Sequence, residues 1–154
     1  MSEASRSAFL LELLCRDLLG ELEKTSEEEL NRQVQVPEAN SLFAIGTHTL
    51  GANRAWILGF VGGRPVQRNR DAEFAASGSF ASLRDGFEEF LVGMREVLTD
   101  LGEADMDRET AAPGYRPEYA GAPLTVRDCV QHMIDHTAMH LGHAQVTRQF
   151  IQAG

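Results

Sequence analysis

One stretch constrains the fold more than any other. From Phe80 to Leu101, apolar side chains recur at Phe80, Leu83, Phe87, Phe90, Leu91, Met94, Val97, Leu98 and Leu101, three or four residues apart almost without error. An α-helix advances about 100° per residue, so this spacing gathers them on one face. A helix with so broad an apolar face must bury it against other elements. The phenylalanines on it read as packing rather than as a cofactor box.

The rest of the chain supplies partners of the same kind. Between about residues 5 and 24, Leu11, Leu14, Leu18 and Leu22 repeat at helical intervals, with Glu12, Arg16, Asp17, Glu21 and Glu23 on the other face. Thr25-Ser26 ahead of Glu27-Glu28-Glu29 suits the start of a short further turn, and Pro37 ends that connection. A second long helix is expected from near Asn40 to about Phe60, closed by Gly62-Gly63-Arg64-Pro65. The last should start at Thr125, an N-cap with Asp128 three residues on, and reach about Gln152. Four helices without a strand or an internal repeat predict an all-α chain, a four-helix bundle forming one domain over residues 1–154. Two connections stand out. The charged run from Val66 to Phe74 reads as a solvated surface. The irregular stretch from Gly102 to about Ala122 offers Tyr115 and Tyr119 as a pocket wall, with ordinary loop packing an equal alternative.

Charge excludes several functions. A net charge of −9 and a pI near 5.0 leave no basic patch for a nucleic-acid backbone or an anionic membrane surface. No run of apolar residues is long enough for a transmembrane span. The leucine-rich start is broken by Glu12, Arg16 and Asp17 at helical spacing, so it reads as an amphipathic helix rather than an export signal, and a cytoplasmic location is expected. Cys15 and Cys129 form neither a disulfide framework nor a C-x-x-C motif, and are expected as reduced core residues.

The chemistry lies in the histidines. Of five, four fall between Gln131 and His143. On a helix, His132, His136, His140 and His143 share an arc of about 80°. Such a face is either a metal site or a polar seam with water-satisfied imidazoles. His136 and His140 form an H-x-x-x-H pair, but Thr137 stands where the metalloprotease signature places its glutamate base. Paired Glu-x-x-His units of di-iron bundles are also lacking. Two histidines of one helix need a third ligand to hold an ion firmly. His48, in line with Ile45, Ala52, Ala55 and Trp56, is the one histidine outside the cluster, although a lone histidine on an apolar face is more commonly a satisfied core residue. An imidazole set suits zinc, nickel, copper or iron rather than magnesium or calcium. Three protein ligands would leave a position open, as in catalytic zinc sites.

The chain resembles the DinB-like family of metal-binding four-helix bundles, which includes bacillithiol- and mycothiol-dependent thiol transferases. The likeness lies in His48 with Trp56 eight residues later, the Gly62-Gly63-Arg64-Pro65-Val66 exit, the Arg70-Asp71-Ala72-Glu73-Phe74 stretch and, most strongly, the segment His132 to His143 followed by Arg148. It implies that His48, His136 and His140 hold a divalent transition metal, zinc or nickel ahead of iron. It leaves His132, His143, Trp56 and Glu73 as candidates for the surroundings of the site, with Gly142 removing bulk where another helix could come close. Cys129, on the same face, reads as a core residue rather than a nucleophile. The implied activity is that of a metal-dependent transferase or hydrolase. A low-molecular-weight thiol would serve as cosubstrate, and the electrophilic small molecule would lodge among the second, third and fourth helices and the 102–122 loop. The alternative is a non-catalytic bundle, either a sensor of a metal or small ligand or a structural metal site. The family likeness also implies a homodimer, for which Leu10 and Leu13 lie off the main stripe.

Overall fold

A computed structural model describes residues 1–116 and 121–154. Its long helices are those the apolar periods call for: α1 (Glu3–Glu23), α3 (Leu42–Asn53), α5 (Phe80–Thr99) and α7 (Val126–Ala153). Short helices α2 (Glu27–Asn31), α4 (Arg70–Phe74) and α6 (Glu103–Met106) lie in the connections. No strand occurs among the described residues, only an isolated bridge between Glu109 and Thr125. Each long helix starts on a side-chain cap: Ser2, Ser41, Ser79 and Thr125 accept from backbone N–H groups of the first turn. Thr125 with Asp128 and Ser26 with Glu29 complete capping boxes.

The helix order follows from which ends meet. Arg127 pairs with Glu3 and Arg148 with Glu21, so α1 and α7 run parallel. Arg16 pairs with Glu88 while Arg95 pairs with Glu12, so α1 and α5 are antiparallel. His48 faces His136 and Trp56 faces His132, which makes α3 and α7 antiparallel. Arg54 reaches Glu89 and Arg64 reaches Glu96, so α3 and α5 are parallel. The result is an up-down-down-up bundle. Two successive parallel helices need a connection that returns along the bundle. Residues 62–79 make that return, and α4 is carried past α3 on the way.

The core is continuous across the four helices. Leu83, Phe87, Phe90, Leu91, Met94 and Leu98 of the α5 stripe are buried, with Phe80, Val97 and Leu101 packed at its edge. On α1 the stripe is Leu11, Cys15, Leu18 and Leu22, with Cys15 taking a place the leucine spacing assigns to Leu14. Both cysteines are free and buried. Burial pushes the Cys15 thiol up to about 12 and raises that of Cys129. Phe9, Leu10 and Leu13 remain exposed on the outer side of α1. Among the described residues, no helix is long and apolar enough to cross a membrane.

The end of the helix holding His48 and the charged run depart from the expected outline. The helix holding His48 changes to a π-helix over Arg54–Val61, with Gly62 N–H donating to the Ile57 carbonyl at 2.9 Å. Gly63 then takes a φ of 66°, a left-handed turn that a side chain would strain. The charged run contains helix α4, capped by Asn69, instead of a fully solvated loop.

Candidate metal centre

The register between α3 and α7 is fixed by a buried polar link. Asn53 donates from Nδ2 to Thr137 Oγ1 at 3.0 Å and to the Thr49 carbonyl at 3.0 Å. Thr137, Thr49 and Asn53 are all fully buried. Buried polar groups need partners, so the two helices are tied where these residues meet. Thr137 therefore holds the helices together at the position where a metalloprotease would carry its base.

That register brings three imidazoles together. His48 Nε2 lies 3.1 Å from His136 Nε2, and His140 Nε2 lies 3.2 Å from the same atom. One nitrogen from each residue falls within 4.8 Å of the others, so His48, His136 and His140 could hold a metal ion. The hydrogen-bonding arithmetic favours a cation. His48 donates its Nδ1 proton to Glu73 Oε1 at 3.1 Å, which leaves Nε2 as a lone pair. His136 carries at most one proton on Nε2, so it cannot satisfy both neighbours, and its buried Nδ1 has no partner among the described residues. A cation among the three would satisfy all of the inward lone pairs at once. Nitrogens of a tetrahedral zinc site lie about 3.3 Å apart, and the spacings found here match it.

The outward nitrogens of His48 and His140 have neighbours beyond the cluster. Glu73 is buried and is itself clamped by Arg68, whose Nε and Nη2 donate to it at 3.0 and 2.9 Å. His140 Nδ1 lies 3.4 Å from His143 Nδ1, and Phe74 stacks on His48 with centroids 4.5 Å apart. Burial keeps the imidazoles neutral. Desolvation first, then neighbouring histidines, push His136 down to about 3 and His140 to about 4. His48 is lowered as well, chiefly by desolvation, against the opposing pull of Glu73. Neutral imidazole is the form that binds metal.

A cavity of about 600 Å³ opens onto this cluster, walled by the 37–40 connection, α3, α4 and α7, with Ile45, Phe74, Met139 and Val146 as its apolar surface. This differs from the expected placement. No described residue of α5 or of the 102–122 loop walls this cavity, because the return connection places α4 and Phe74 beside His48. Tyr115 instead stacks on His132 at 3.9 Å, on the far side of His136, where a smaller space of about 240 Å³ lies. Tyr119 lies outside the described residues. Trp56 meets His132 edge-on at 4.5 Å and stands behind the cluster. Cys129 is buried beside Thr110 Oγ1 at 3.5 Å. A Cβ built at Gly142 would meet nothing within 4 Å among the described residues, so none of them makes the close helix approach expected at this glycine.

Other residues of the site gave less signal. A Cβ at Gly51 would fall 1.9 Å from Glu73 Oε2, so this glycine makes the space for the carboxylate. A glycine inside a helix costs about 1 kcal/mol relative to alanine, and that cost was the available hint. Arg68 is one of three arginines between residues 64 and 70, and nothing in its spacing distinguishes it.

Comparisons with known proteins agree with this architecture. A family model described as the DinB superfamily matches residues 10–144. A crystal structure described as the conserved protein of locus from Enterococcus faecalis superposes with a TM-score of 0.76, over 100% of this chain and 99% of that one, at 15% identity. At that identity the likeness concerns the fold alone. A comparison with curated proteins finds no match.

Proposed function

The chain belongs to the DinB superfamily, and from that membership we propose that it is a metal-dependent thiol S-transferase acting on small electrophiles. The observation that carries the proposal is the convergence of His48, His136 and His140 at the floor of an open cavity. A site that only tied helices together would be closed by its ligands, whereas three protein ligands beside 600 Å³ of space leave a position for a small molecule.

Zinc or nickel fits the all-imidazole donor set, and iron is compatible with it. Such an ion supplies Lewis acidity and lowers the pKa of a thiol that reaches it. The protein's own groups do the rest. Glu73, held by Arg68, fixes the tautomer and tilt of His48, and His143 lies beside the outer nitrogen of His140. Ile45, Phe74 and Met139 give the reacting partners an apolar wall that limits water around the sulfur. Transfer forms one sulfur–carbon bond while the leaving group departs with its bonding electrons, and the thiol proton passes to solvent through the open side. The reading extends to a homodimer formed through the exposed Phe9, Leu10 and Leu13 of α1.

The test is elemental analysis of the purified protein and of its His48→Ala, His136→Ala and His140→Ala variants, followed by conjugation assays. One tightly held divalent ion, lost in each variant, is the expected result. If the metal-loaded protein conjugates no cellular thiol to any model electrophile, the transferase reading is abandoned.

A further inference from the structure

We propose that Arg70 is the recognition group for a carboxylate carried by the thiol, so that the cavity selects an acidic thiol over a neutral one. The proposal rests on the metal-dependent thiol reading. Its starting point is an unused cation. In a chain with 23 acidic residues against 14 basic ones, several other arginines are ion-paired: Arg54 with Glu89, Arg64 with Glu96, Arg68 with Glu73 and Arg84 with Asp85. Arg70 lines the cavity over the histidines and makes no ion pair or hydrogen bond among the described residues, although Glu38 lines the same cavity.

A ring contact places Arg70 beside the cluster. The guanidinium lies over the Phe74 ring at 5.3 Å, and Phe74 stacks on His48 at 4.5 Å, so two stacking steps put the charge within about 10 Å of that imidazole. A guanidinium engaged only with a ring still has N–H groups free to form a paired contact with a carboxylate. Charge points the same way. An imidazole that ligates a metal is neutral, Arg68 pairs with Glu73, and the lining carries one further charge of each sign, Glu38 and Arg70. A divalent ion would leave the cavity with an excess of two positive charges. A thiolate at one end and a single carboxylate at the other neutralise that excess, with an apolar body against Ile45, Met139 and Val146 between them.

The experiment titrates cobalt(II)-loaded protein with mercaptohexanoate and with mercaptohexanol, reading the thiolate-to-metal charge-transfer absorption as a measure of binding. Wild-type protein should bind the carboxylate about tenfold more tightly, the gain of one charge-assisted pair. Arg70→Gln should bring the two thiols to parity without changing the affinity for mercaptohexanol, and Arg70→Lys should keep part of the preference. Equal affinities in wild type, or a preference that survives in Arg70→Gln, overturns the proposal. The failures of the underlying reading look different. Protein that retains no cobalt removes the metal site, and cobalt-loaded protein that shows no charge-transfer band with either thiol removes the thiol. Arg70 is exposed, so the variant's melting temperature should stay near that of wild type and confirm that its fold is intact.

Discussion

Glu73 Oε1 lies 3.1 Å from His48 Nδ1, both side chains are buried, and they come from different helices 25 residues apart. The contact decides which His48 nitrogen faces the other two imidazoles. Glu73→Gln keeps an acceptor for the Nδ1 proton but removes the charge that stabilises the ring and leaves Arg68 without its partner. Metal affinity should fall about 10- to 100-fold, with the histidine ligands intact. A competition titration against a chelator measures it, and an unchanged affinity would show that the carboxylate does not act on the site.

Gly51→Ala reaches the same contact from the other side. The new methyl group would stand 1.9 Å from Glu73 Oε2, so the carboxylate must leave His48 or Arg68. The usual helix gain from Gly to Ala, about 1 kcal/mol, should be absent, and metal affinity should drop as it does for Glu73→Gln. Gly20→Ala is the control, because a Cβ there meets nothing within 4 Å. It should raise the melting temperature slightly and leave the metal untouched.

The bundle was legible because burial imposes a period on sequence. The α5 stripe needed no tertiary information, and Thr125 with Asp128 marked the start of α7 by capping chemistry alone. The pair His136 and His140 with the remote His48 was readable as a candidate ligand set for the same geometric reason. The surroundings, Glu73 and His143 among them, were named only through the family resemblance. Whether Glu73 or Asp71 turns inward depends on how residues 62–79 return along the bundle, which no local pattern encodes. Likewise, the α-to-π change at Arg54 left no mark in the apolar spacing. The sequence offered the tyrosine loop equally as a pocket wall or as ordinary packing; Tyr115 and Arg116 line the smaller space beside His132 and His136, and α4 walls the larger cavity.

Neutral, desolvated histidines make the metal-free protein sensitive to mild acid. His136 and His140 titrate at about 3 and about 4 in the folded chain, against about 6.5 when unfolded. Between these values the unfolded chain binds more protons, so stability rises with pH there. It is fully present above about pH 6.5 and is lost as pH falls. The lowered carboxylates Glu12 and Glu21 act only below their ordinary range, so the window from about pH 6.5 to about pH 4.5 belongs to the histidines. Urea denaturation across that window should show a slope approaching about 1.4 kcal/mol per pH unit for each such histidine. His136→Gln should have a shallower slope, and a flat wild-type profile would contradict neutral burial.

Metal removal separates a working site from a structural one. The core of Leu11, Leu18, Phe87, Phe90, Leu91 and Leu98 is fully buried without any contribution from an ion, and the Asn53–Thr137 link already ties α3 to α7. A chain that depends on its metal to fold unravels when the metal is chelated. This protein should instead keep its helical circular dichroism and a cooperative melt after chelation, and lose only the stabilisation due to binding itself, about 2.7 kcal/mol at a hundredfold excess of metal over Kd. Loss of the helical signal on chelation would identify the three histidines as a structural clamp and remove the main physical ground for a reaction at that site.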